Sequence, residues 1–294
     1  MDTPERFSVL VATDGSEEAT AAVDAVTVFP WPAGTRMRGV VARSAIVMAE
    51  VPESVLADVE RGLAGVAEDA RKALAPRWPD AKVRVVDGPP VDAILARARR
   101  AGARVIVLGS RGHGPVARLL VGSTSLGCIR RMKHAALVVR ARPRAFARVT
   151  AGLDGSAHSR RAVSFLAGLD VPAGGRVTIV RVLEPVVPPS LALMPAAARA
   201  ALGTQAAALN AAEAKKARHE AETAAAELRR VGWKVDVVIR KGAPLHELLA
   251  ATKRARAQLL VVGARGISGV ERLLLGSVAE GALHRSPVSV LVVR

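Results

Sequence analysis

The sequence predicts an α/β protein made of two tandem copies of one domain, each a five-stranded parallel sheet with helices on both faces. Three observations carry this. A glycine pattern occurs twice: Gly109-Ser-Arg-Gly112, nine residues, then Gly122-Ser123, and Gly263-Ala-Arg-Gly266, nine residues, then Gly276-Ser277. The flanking chain repeats with it. Asp14-Gly-Ser16 returns as Asp154-Gly-Ser156 at an offset of 140, while Gly88 returns as Gly242, and Val138-Val-Arg140 as Val292-Val-Arg294, at an offset of 154. Finally, short apolar runs alternate with helix-length segments, the pattern of a parallel sheet buried on both sides.

The elements follow in order. In the first copy, apolar Phe7–Thr13 is a strand and Glu17–Phe29 a helix, entered through Asp14-Gly-Ser16, residue types that cap helices and form turns. Arg38–Ala42 is the second strand. Glu53–Leu74 is the second helix, supported by Glu68 and Lys72 at the favourable i, i+4 spacing. Strand Lys82–Val86, helix Pro90–Ala101 and strand Val105–Leu108 lead to the glycine turn. A helix ending near Met132 and a closing strand, Ala136–Arg140, complete the copy.

The second copy repeats this order with 14 extra residues between about Glu184 and Trp233. The alanine-rich tract Ala196–Ala226 predicts a longer or doubled second helix. Lys216/Glu220 and Arg218/Glu222 fall at i, i+4, in the weaker orientation. Glu184–Pro189 reads as an irregular lead-in loop. The domains are accordingly set at residues 1–142 and 147–294, joined by Arg142–Ala147.

Composition narrows the class. The 294 residues suffice for two domains with cores of their own, and half of them are hydrophobic, which argues against disorder. No run of about 18 apolar residues predicts a membrane span, and Met1–Arg6 lacks the basic and apolar regions of a signal peptide. The single cysteine, Cys128, excludes an intrachain disulfide. A soluble cytoplasmic protein is the expectation. The 43 basic against 26 acidic residues give a formal charge of +17, which raises a nucleic-acid reading. The excess is spread along the chain, however, and aromatics are only 2% with no tyrosine, so base-stacking platforms are scarce. Specific nucleic-acid binding is not expected.

The glycine turns carry the site. A glycine-rich strand-to-helix turn offers backbone N–H groups to an anion without side-chain obstruction, and the helix dipole adds to the attraction. Gly109, Gly112 and Gly122, with Ser123 and Thr124, supply such donors in the first copy. Gly263, Gly266, Gly276 and Ser277 do so in the second, with Val278 standing where the first has Thr124. Arg111 and Arg265 lie within the turns and are assigned with them. In an open parallel sheet, ligands bind beyond the carboxyl ends of the strands where strand order reverses. Asp14 and Asp154, at the ends of the first strands, therefore face the glycine turns across that crevice. Since a carboxylate repels phosphate, they are expected to meet an amino or hydroxyl group of the ligand, or a divalent cation.

At these residues the chain resembles a tandem universal stress protein, two UspA-type domains in one polypeptide, over nearly its whole length. The resemblance rests on the Asp-Gly-Ser strand ends, Gly88/Gly242 and both copies of Gly-x2-Gly-x9-Gly-Ser, the last marking the family's ATP-binding branch. It implies a Rossmann-like, adenine nucleotide alpha hydrolase-like fold, with ATP bound in one or both copies, with or without Mg2+. It also implies that the ends of the second strands, Ala42 and Val182, touch the base, and that closing strands 136–140 and 288–293 pair within the chain. A homodimer of such chains is compatible with it. Arg104 and Gln258 depart from the pattern, standing where the family often has an acid. Both copies keep the glycine motif, so equal competence is expected of them.

No catalytic constellation is present in the sequence. There is no Gly-x4-Gly-Lys-Ser/Thr loop, no Gly-x-Ser-x-Gly elbow with an acid and a histidine, and no metal-ligand spacing among the six histidines. The expectation is a nucleotide-responsive stress module and not an enzyme. The competing readings are a slow ATP hydrolase or self-phosphorylating protein using Ser123, Thr124 or Ser277, and, more weakly, a basic nucleic-acid-binding protein.

Overall fold

The computed structural model describes residues 6–44, 53–110, 121–140, 142–184, 195–266 and 275–294. In the first copy the order is β1 (Ser8–Ala12), α1 (Glu17–Val28), β2 (Arg36–Arg43), α2 (Glu53–Leu74), β3 (Lys82–Asp87), α3 (Pro90–Arg100), β4 (Val105–Gly109), α4 (Ser123–Arg131) and β5 (Ala135–Val139). The second copy follows as β6 (Arg148–Gly152), α5 (Ala157–Ala167), β7 (Arg176–Leu183), α6 (Ala196–Arg230), β8 (Lys234–Lys241), α7 (Pro244–Arg254), β9 (Leu259–Gly263), α8 (Ser277–Arg285) and β10 (Ser289–Val293).

The ten strands form one sheet in the order β3-β2-β1-β4-β5-β10-β9-β6-β7-β8. Each copy contributes a parallel half, and the halves join where β5 and β10 run antiparallel, with Leu137 opposite Leu291 and Val138 opposite Val290. The expected pairing of closing strands is therefore present. It makes the fold one continuous object instead of two separate cores.

Alternation along the strands produces two apolar layers that both cross the junction. Val105 and Val107 of β4 and Leu137 of β5 face α1, α2, α5 and α6, which contribute Val26, Leu74, Leu166 and Leu228. Ile106, Leu108, Ala136 and Val138 face α3, α4, α7 and α8, which contribute Ile94, Ile129, Leu248 and Leu283. β1, β4, β5 and β10 are buried along their full length. At about 1.5–3 kcal/mol for each buried Val or Leu side chain, these layers dominate stability. Cys128 sits in the second layer, where burial pushes its thiol up to about 12. We expect a thiol reagent at pH 8 to leave Cys128 untouched in the native protein and to label it fully in urea, as read by mass spectrometry.

An exchange of arginines reinforces the junction. The Arg140 guanidinium donates to the Leu283 carbonyl at the end of α8, and the Arg294 guanidinium donates to Ile129 and Arg130 carbonyls of α4 at 3.2 and 2.7 Å. Each copy thus caps the last turn of the other's helix, where carbonyls lack intrahelical partners and favour a cation.

The extra residues of the second copy lengthen one helix: α6 is continuous over 35 residues, against 22 in α2. Its ion pairs differ from the expected ones. Glu222 meets Arg229, and in α2 Glu68 meets Arg71 at i, i+3. Of the lead-in loop, residues 185–189 lie outside the described residues.

Candidate functional site

The first strand of each copy ends in a turn built by Asp-Gly-Ser. Gly15 and Gly155 take φ of +81° and +82°, the left-handed region that glycine enters freely. Ser16 and Ser156 then cap α1 and α5, accepting from the Ala19 and Ser159 N–H groups at 3.3 and 3.1 Å. The aspartates brace these caps, Asp14 accepting from Ser16 N–H at 3.0 Å and Asp154 from Ser156 N–H at 2.9 Å. We expect Ser16→Ala and Ser156→Ala each to cost about 1 kcal/mol, read as a lower urea midpoint.

The helices after the glycine turns are built differently. Gly122 and Gly276 stand at the N-caps of α4 and α8, and neither helix has a side-chain cap. A serine occupies the first donors of α1 and α5, whereas α4 and α8 receive no such bond from the described residues, so their N-termini are suited to an external anion. Ser123 and Ser277 open these helices and are exposed; Thr124 and Val278 behind them are half-buried.

In the second copy the two turns meet. The Ser156 hydroxyl donates to the Arg265 carbonyl at 3.2 Å, and a Cβ on Gly266 would lie 2.8 Å from Asp154 Oδ2. Asp154 therefore faces the glycine turn across the point where strand order reverses between β6 and β9, as the sequence predicts. Together they line a cleft of about 590 Å3, the size of a small-ligand site. One end holds Gly263, Arg265, Gly266, Gly276 and Ser277; the other holds Val180, Arg181 and Val182 of β7.

The electrostatics favour an anion at the glycine end. α5 starts with Ala157 and His158 and carries Arg160 and Arg161, whereas α1 starts with Glu17 and Glu18. His158 is held below the ordinary histidine range, by burial first and then by Arg161, Arg265 and Arg294. Arg294 is lowered by its own burial and by Arg265. Of these cations Arg265 lines the cleft, where a bound phosphate would offset its charge.

Both halves match the family model described as the universal stress protein family, over residues 6–140 and 145–294. The chain belongs to that family. Universal stress proteins of Mycobacterium bovis and Mycobacterium tuberculosis are each 30% identical to it over 230 residues, covering 72% of this chain and 68% of theirs. Among solved structures, a universal stress protein from Archaeoglobus fulgidus superposes with a TM-score of 0.68 at 20% identity, covering 97% of both chains. A functionally unknown protein of Pseudomonas aeruginosa gives 0.60 at 14% identity over 97% of this chain and 91% of its own. At such identities these structures establish the fold: tandem universal stress domains with Rossmann-like parallel cores.

Within that frame the assigned residues fall into three groups. In the second copy Asp154, Val182, Gly263, Arg265, Gly266, Gly276, Ser277 and Val278 all line the cleft. In the first copy Asp14 follows β1, Ala42 and Gly109 lie at the ends of β2 and β4, and Gly122, Ser123 and Thr124 stand at the start of α4, the positions equivalent by sequence offset. Arg111 and Gly112 lie outside the described residues, as does His113. Gly109 and Gly263 also have a packing role. A Cβ on Gly109 would lie 2.8 Å from Glu18 backbone, and one on Gly263 2.7 Å from His158 backbone.

The sequence reading missed part of the second cleft's wall, chiefly Arg181, Glu213 of α6, and the Ala243–Leu245 entry to α7. At the offset that sets Ala42 against Val182, Arg181 stands against Val41, so a comparison one residue further back would have exposed it. Among the described residues, no cluster of three or more His, Cys, Asp or Glu side chains could hold a metal, and no helix is long and apolar enough to cross a membrane.

Proposed function

We propose that this universal stress protein is a nucleotide-responsive regulatory module that binds adenine nucleotide, ATP foremost, in the clefts at the carboxyl edge of each half-sheet. The observation that carries this reading is the opposition, across a cleft of about 590 Å3, of a helix N-terminus without a side-chain cap and a carboxylate. Gly266, Gly276 and Ser277 suit the phosphates, with Arg265 as counter-charge. Asp154 suits a ribose hydroxyl, which can donate to it. The strand end at Val182 suits the base. Any Mg2+ would arrive with the triphosphate.

The shared motif makes both copies candidates. The basic start of α5, against the acidic start of α1, makes the second copy the tighter site in this reading. Occupancy would act on partners or self-association through surfaces at the cleft mouth, and no group in the cleft is assigned a catalytic role. Equilibrium dialysis of nucleotide-stripped protein against labelled ATP tests the reading. Saturable retention with ATP recovered intact is expected. Absence of retention would overturn it, and steady ADP release would replace it with the hydrolase reading.

A further inference from the structure

One wall of the second cleft has changed character relative to the first. β7 carries Arg181 where β2 carries Val41, because Val180 and Val40 hold the same register against β6 and β1. The covering helices match in the same way: Glu220 of α6 sits over Gly155 as Val66 of α2 sits over Gly15. Two turns earlier, Glu213 stands where α2 has Val59. Three valines of the first copy are thus an arginine and two glutamates in the second.

This wall is not a packing requirement of the fold, since valines serve in the first copy. Replacing an apolar wall by buried charge gains little stability by itself, and an unmet buried N–H costs more. Arg181 is only 6% exposed. Its Nη2 donates to Glu213 Oε1 at 2.9 Å, and its buried Nε has no hydrogen-bond partner among the described residues. Arg181 and Glu213 both line the cleft beside Val180 and Val182, at the end opposite the glycine turn. A donor in want of an acceptor, next to a carboxylate that is itself half-exposed, is the complement of a ligand edge that sets an acceptor beside a donor.

We propose that Arg181 and Glu213 determine base specificity in the second cleft, Arg181 donating to a purine ring nitrogen and Glu213 accepting from the neighbouring exocyclic amine of adenine. Adenine presents that acceptor–donor pair, whereas hypoxanthine and guanine carry a carbonyl oxygen where adenine has its amine. That oxygen would face the Glu213 carboxylate with no proton between them. The first copy has Val41 and Val59 at the matching positions and no such charged pair, so it would read the base by shape alone. The inference rests on the second cleft being an adenine-nucleotide site.

Hydrogen exchange read by mass spectrometry, on the full chain titrated with ATP or ITP, tests both levels separately. Protection of peptides spanning 176–184 and 275–285 reports the second cleft, and of 36–44 and 121–131 the first. The second cleft is expected to prefer ATP over ITP by at least about tenfold, and the first by less than about threefold. Arg181→Val with Glu213→Val, the residues of the first copy, should weaken ATP several-fold and erase the preference. Glu213→Gln, at a half-exposed position that tolerates the change, should raise ITP affinity relative to ATP because the amide can donate to the carbonyl. Undiminished preference in both variants would overturn the assignment of these residues while leaving the nucleotide reading intact. Protection of neither cleft by either nucleotide would remove that reading and this inference with it.

Discussion

Gly276→Val is expected to abolish nucleotide binding by the second copy while leaving the fold in place. Gly276 has φ −67° and ψ 149°, a conformation open to any residue, so the backbone is not strained by the change. The added Cβ would lie 3.2 Å from Arg265 Cα and 3.4 Å from the Gly266 nitrogen, close enough to push the turn by a few tenths of an ångström. Valine's two γ carbons need further room at the N-terminus of α8, where we propose that the phosphates bind. Loss of that anion site should weaken binding on the order of 100-fold, about 2.8 kcal/mol. The measurement is calorimetric stoichiometry, which should fall by one per chain, with circular dichroism and melting temperature little changed. Gly122→Val is the counterpart for the first copy. Unchanged affinity in both variants would show that the glycine turns do not bind the ligand.

The second large effect is structural. Gly263→Ala should destabilise the protein by about 3 kcal/mol, and Gly109→Ala by a similar amount. The alanine Cβ of the first would lie 2.7 Å from the His158 carbonyl carbon and the Ser159 nitrogen; that of the second would lie 2.8 Å from Glu18 carbonyl atoms and 2.9 Å from the Ala19 nitrogen. Helix backbone cannot rotate away as a side chain can. Relief therefore requires the first turn of α5 or α1 to move off the sheet, and those turns carry the serine caps and the braced aspartates. Urea denaturation should show a lower midpoint with little change in slope. A midpoint unchanged in both variants would contradict the close helix–strand approach on which the placement of Asp14 and Asp154 depends.

These two predictions divide the glycine motif into parts that sequence alone treats alike. The spacing marks Gly109, Gly122, Gly263 and Gly276 as equivalent donors. Only the distance to the neighbouring helix separates the packing glycines at the strand ends from those at the helix starts. Much else was legible. Uniformly apolar β4 and β9 could only be strands buried on both faces, and the shift in offset from 140 to 154 located the lengthening of α6. The two turns are brought together by parallel topology itself, so their juxtaposition in the second copy followed from element order.

What was hidden depended on register across elements. Arg140 and Arg294 mark only the ends of the repeated closing strands in the sequence, and the antiparallel junction carries each to the helix end of the other copy. Arg181 lies near the carboxyl end of the strand RVTIVRVL, where no sequence pattern marks it as buried. Its burial follows from α6 crossing over it with Glu213, and no local pattern fixes the facing register of a helix of low amphipathicity. The pairing expected between Arg218 and Glu222 failed for a related reason, since Glu222 finds Arg229 two turns on.

We propose that the carboxyl edges of both half-sheets of this universal stress protein take adenine nucleotide. Calorimetric titration of the nucleotide-stripped chain with ATP and magnesium tests it most directly. Saturable binding approaching two ATP per chain, the first equivalent tighter and no ADP accumulating, is the predicted result. A flat titration at millimolar ATP would contradict it.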